Sequence, residues 1–120
     1  MKLHRAALVV PSPPPLARDH LTAIFRALGW DGVWLGPWSA LVHQGTEAGN
    51  VIAGPLAAFF EVRWAITVGS GDETVVRIEQ TRNTWTGKGG ILDGKRAGAR
   101  FDAILGAVRT CWPDAVALAA

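Results

Sequence analysis

The stretch GGILDGKR, residues 89–96, is where residue type and spacing come closest to a known chemistry. Gly89, four residues, then Gly94-Lys95 match the front of a phosphate-binding loop, whose backbone N–H groups cradle phosphate while the lysine reaches the outer oxygens. Such a loop needs Ser or Thr after the lysine to coordinate Mg²⁺, and Arg96 stands there. It also belongs to a parallel sheet with further strands to follow, whereas the chain after Arg96 has room for one helix. A plainer reading uses the same residues. Gly87, Gly89 and Gly90 let the chain reverse, and Asp93 caps the last helix by accepting a backbone N–H. A weaker anion site survives as the alternative: Lys88, Lys95, Arg96 and Arg100 flank that helix start. They belong to a basic stretch in which Arg77, Arg82, Lys88, Lys95, Arg96 and Arg100 face only Glu79 and Asp93. Charges on a solvated helix face are the competing explanation.

The other reactive side chains form no pattern. His4, His20 and His43 lack metal-ligand spacing, so neither a metal nor a cofactor is expected. Cys111 is the only cysteine, which rules out an internal disulfide. Its apolar neighbours disfavour a thiolate, and it reads as buried and inert. Ser12, Ser39 and Ser70 have no nucleophile-elbow context. No catalytic residue is assigned, and the sequence reads as a binding module rather than an enzyme.

Six tryptophans and no tyrosine are the compositional oddity. Indoles of this size ordinarily fill a core between helix and sheet. The alternative is an apolar cavity, for which Trp30, Trp34, Trp38, Phe59, Phe60 and Trp64 are the candidate lining. A small apolar ligand or a protein partner would follow. The segment VIAGPLAAFF, residues 51–60, has no polar side chain, and its exposure would call for a cover, hence a possible homodimer.

The elements that must position these groups follow from periodicity. Leu21, Ile24, Phe25 and Leu28 form one stripe of a helix over Leu16–Leu28, ended by Gly29. Phe101, Ile104, Leu105 and Val108 repeat the pattern in a helix from about Asp93 to Cys111. Glu61–Val68 alternates strictly, with Val62, Trp64, Ile66 and Val68 on one side, and forms a hairpin with a strand over Thr74–Trp85. Arg5–Val10 suits a first or edge strand. Gly32–Leu35 and Ser39–Gln44 read as short strands joined by a turn at Gly36-Pro37, while residues 51–60 are read as loop plus a short helical or irregular piece. The tail DAVALAA reads as frayed. The expectation is a single α+β domain over 1–120: an antiparallel sheet of about four or five strands, ordered β-α-β-β-β-β-α, with two helices packed on one face.

Charge narrows the partners. Twelve Lys+Arg against ten Asp+Glu give a net +2, too small a balance to imply nucleic acid. The apolar run Ala6–Val10 is too short for a signal peptide, and no stretch is long enough for a membrane helix. A soluble cytoplasmic protein is expected, and the Arg-, Ala- and Gly-rich composition suggests a bacterial one.

The long helix Asp93–Cys111 laid across a sheet that ends in the hairpin Glu61–Trp85 resembles the helix-grip (Bet v 1/START-like) class. That resemblance spans nearly the whole chain and rests on topology. It implies an apolar ligand held between sheet and helix, although this chain is short for a deep cavity. If Pro55–Phe60 is helical, the order α-β-β-α-β-β-α instead resembles the dimeric secretion chaperones, which bind other proteins and are generally acidic.

Overall fold

In the computed structural model the described residues are 4–44, 60–68, 71–83 and 90–118, with the backbone alone described at 82–83 and 90–97. Strand β1 (Arg5–Val10) leads into helix α1 (Pro14–Ala27), followed by β2 (Asp31–Gly36), β3 (Ser39–Gln44), β4 (Phe60–Val68), β5 (Thr74–Asn83), helix α2 (Gly90–Cys111) and β6 (Val116–Ala117). All pairings are antiparallel, in the order β2-β3-β4-β5-β1-β6. The class is α+β as expected, with six strands rather than four or five.

The alternation in β4 carries through the sheet. Phe60, Val62, Trp64 and Ile66 are buried, as are Val76 and Ile78 of β5, Leu8 and Val10 of β1, and Ala40 and Val42 of β3. On the helix side, Ala17, Leu21 and Phe25 of α1 and Phe101, Ile104 and Val108 of α2 join them in one cluster, with Ile24, Leu28 and Leu105 packed at its margin. Both apolar stripes therefore meet the same sheet face. The opposite face carries Arg63 and Glu79, directly paired in register and 3.6 Å apart. Both are well exposed, so that pair adds under about 1 kcal/mol.

The ends of α1 are set by local chemistry. Pro13 and Pro14 open it, where a missing N–H costs nothing. At the other end Gly29 adopts φ 84°, which a side chain would resist. Its N–H donates to the Arg26 carbonyl at 3.1 Å, and the Trp30 N–H donates to the Phe25 carbonyl at 2.9 Å. This is a Schellman ending, and its hydrophobic contact is the edge-on pair Phe25–Trp30, with ring centroids 5.9 Å apart. The helix stop thus also places the first indole of the cleft described below.

Four expectations are corrected. Helix α2 begins at Gly90, so Asp93 lies inside the helix rather than at its cap. The two-residue turn after β2 is Pro37-Trp38, because β2 continues through Gly36. Phe60 is the first residue of β4, and residues 51–59, with the rest of that ambiguous segment, lie outside the described residues. The tail is not frayed at Val116 and Ala117, which pair with Val9 and Leu8 of β1; the Leu118 N–H also donates to the Ala7 carbonyl at 2.8 Å.

What brings the tail back is Trp112. Its indole N–H donates to Ser12 Oγ at 2.9 Å, and the Ser12 carbonyl accepts from Thr74 Oγ1 at 2.6 Å, all within the interior. Ser12→Ala leaves the indole N–H buried without a partner, and urea unfolding is expected to show a loss of about 1–3 kcal/mol. A change within experimental error would mean that the N–H has another acceptor.

Candidate functional site

A cleft of about 240 Å³ lies between α1 and the inner face of β2, β3 and β4. Thr22, Phe25 and Arg26 line it from the helix, Trp30 from the helix stop, and Asp31, Gly32, Val33, Trp34, Ala40, Val42 and Trp64 from the sheet. Its floor follows from register. Trp34 pairs with Ala40, and Ala40 pairs with Trp64, so two indoles flank one methyl group on the same face. Because Ala40 is small, the rings meet over it, edge to face, with centroids 5.5 Å apart. Trp64 is 1% exposed and Trp34 54% exposed, so the pair runs from the core to the mouth.

The backbone at Gly32 makes this floor possible. A Cβ there would stand 2.5 Å from the Leu41 carbonyl oxygen and 2.7 Å from Val42 Cγ1. Only glycine lets β2 lie this close to β3.

The polar groups of the cleft are few. Thr22 spends its hydroxyl on the Arg18 carbonyl, 2.8 Å away within its own helix. Arg26 and Asp31 are exposed and supply one charge of each sign. Nothing in this set pairs a nucleophile with a base; the surface the cleft presents is more polar than apolar, with Trp30 and Trp64 largely buried beneath it.

Of the candidate pocket residues, the structure brings Trp30, Trp34 and Trp64 together. Trp38 lies apart in the turn after β2, with the Arg18 guanidinium stacked over its ring at 5.0 Å. Phe60 lines a separate crevice of about 10 Å³ with Trp30, Val62, Gln80, Arg100 and Phe101. Phe59 lies outside the described residues. The sequence reading missed Phe25, Thr22 and Arg26 as cleft residues. Phe25 was visible as part of the helix stripe; its second role is not a periodic signal.

The basic candidates do not form a described site. Lys88 lies outside the described residues, and Lys95 and Arg96 are described in backbone only, already inside α2. Gly94 and Lys95 are helical, a conformation in which their backbone cannot wrap a phosphate. Arg100 is engaged elsewhere: its Nη1 donates to Gln44 Oε1, and its guanidinium covers the Phe60 ring at 4.5 Å.

The remaining reactive groups pack at the margin of the core. The His4 ring stacks on Phe101 at 5.6 Å. His20 meets the edge of Trp112 at 5.4 Å, and its Nδ1 stands 3.4 Å from Cys111 Sγ. Cys111 is half-buried rather than fully buried, and desolvation raises its pKa, so the thiol form is favoured despite the nearby imidazole. Among the described residues, no group of three or more His, Cys, Asp and Glu side chains is placed to hold a metal ion. Nor is any described helix long and apolar enough to cross a membrane.

Compared with models of known protein families, and with curated proteins, the chain matches none. Function must therefore be argued from the cleft.

Proposed function

We propose that this protein is a binding module that holds a small apolar, preferably aromatic, molecule in the cleft between α1 and β2–β4. One observation carries the reading: three indoles from separate parts of the chain, Trp30, Trp34 and Trp64, converge on one open cavity with Phe25. Size limits the occupant. Pockets for drug-sized ligands run to roughly 300–1,000 Å³, and a cavity of roughly 150 Å³ already accepts benzene. At about 240 Å³ the cleft suits a molecule of one or two rings. The likeness to the helix-grip class rests on the long last helix over an antiparallel sheet, whereas this cleft is lined by α1 and by no residue of α2. Fold likeness by itself is a weak warrant for function.

The test is an NMR titration with naphthalene as probe. The indole N–H signals of Trp30, Trp34 and Trp64 are expected to shift under the ring current, while those of Trp38 and Trp112 stay in place. Equal movement of all five, or none, would remove the proposal. Ala40→Leu, which fills the floor between the two indoles, is expected to abolish the shifts.

A further inference from the structure

The floor of the cleft carries hydrogen-bond donors that the fold does not use. Of the described tryptophans, only Trp112 gives its indole N–H to a hydrogen bond. Those of Trp30, Trp34 and Trp64 have no acceptor among the described residues. Trp30 and Trp64 are buried, and an indole N–H in such a place ordinarily has a partner. Neither N–H is sealed in the interior. Among the described residues, Gln80 Nε2 is the one fully buried side-chain nitrogen or oxygen left without a partner. Trp64 lines the cleft and not the Phe60 crevice, so its N–H is open to the cleft.

The rim adds a charged donor. Arg26 lines the cleft from α1 and is exposed, and its side chain enters no ion pair or hydrogen bond among the described residues. Thr22, one turn earlier on the same helix face, spends its proton on the Arg18 carbonyl and donates nothing further. Asp31 is the one acid of the rim. By alternation it shares the outer face with Val33, away from the indole floor. The cleft therefore sets unpaired N–H groups, one of them cationic, beside aromatic rings.

On the reading of the cleft as a ligand site, we infer that its ligand is an aromatic carboxylate, with Arg26 as the counter-ion and the indole N–H groups as further donors. An ionised carboxyl group brings acceptors only, so it satisfies N–H groups that a hydrocarbon would leave bare. A guanidinium grips such a group through two parallel N–H bonds, which fixes its orientation as well as its charge. The aromatic part of the ligand lies against Trp34, the indole that the cleft leaves most exposed. An aromatic ammonium of the same size would instead meet Arg26 as a like charge.

The test compares matched probes by NMR of the indole N–H signals: 2-naphthoate, uncharged naphthalene and 2-naphthylmethylammonium. 2-Naphthoate is expected to bind about tenfold tighter than naphthalene, as one charge-assisted hydrogen bond would give. The ammonium probe should bind no tighter than naphthalene. With 2-naphthoate bound, the Trp64 indole proton should exchange with water more slowly than with naphthalene bound. Arg26→Gln, at an exposed helix residue, should keep the fold and the naphthalene affinity, and bring 2-naphthoate down to the naphthalene level. Naphthalene shifts with no preference for 2-naphthoate overturn the carboxylate ligand and leave the cleft an apolar site. A preference that survives in folded Arg26→Gln, or an ammonium probe that binds as tightly, overturns it too. Silence of the three cleft indoles toward every probe removes the cleft as a ligand site altogether.

Discussion

Trp64→Ala is expected to remove a large share of the protein's stability in one step. Trp64 stands at the middle of β4, between Ala40 and Ile78 in register, and is 1% exposed. Its loss removes the largest fully buried side chain and one wall of the aromatic pair over Ala40. The central strand is paired on both sides, so the backbone cannot collapse into the space. Truncating a buried tryptophan costs about 3–5 kcal/mol, against a total of about 5–15 kcal/mol for a domain. Urea unfolding measures it, with the fall appearing in the midpoint rather than the slope. A loss below about 1 kcal/mol would mean that Trp64 fills no space the fold needs.

The second large effect is expected at a residue with no side chain. Gly32→Ala forces a methyl group against the Leu41 carbonyl oxygen, and that oxygen belongs to the backbone of a paired strand. A flexible side chain could swing away, but β3 is held by β4 on its other side. The strain therefore falls on β2, which must move outward. Overpacking of this kind costs about 1–3 kcal/mol. Its signature is local: amides of β2 and β3 should exchange faster while those of β1 and β5 do not. The Trp34 indole signal should move as the Trp34–Trp64 contact opens. Uniform change across the sheet would place the strain elsewhere.

These two residues also show what was legible in the sequence. Trp64 stood in a strictly alternating run, so its inward direction could be read from period two alone. The stripes of α1 and α2 were equally plain, and all their apolar members reach the common core. Gly32 reads only as a breaker, because a glycine's reason depends on how close another strand comes. The same limit hid the cleft. Trp34 and Trp64 are thirty residues apart in number and meet only because Ala40 separates them in register. Trp38 shares their residue type but falls in a turn, so composition overstated its part. The start of α2 at Gly90 was missed because glycines there suggest a turn, and propensity is a weak guide when a long helix is held by tertiary packing. Strand β6 was missed for the reason that pairs of residues carry no pattern; it forms because Trp112 is tied to Ser12.

The place of β1 in the sheet has a consequence for how the molecule must be assembled over time. This strand comes first in the chain, yet its two neighbours come from residues 74–79 and 116–117. Strand β1 therefore waits for residues 74–79 on one flank and for residues 116–117 on the other. Closing such distant pairings is slow, because loop entropy is lost before the contacts form. Strand β1 is thus the part of the sheet whose pairings span the longest stretches of chain, and its place between β5 and β6 is the contact that closes last.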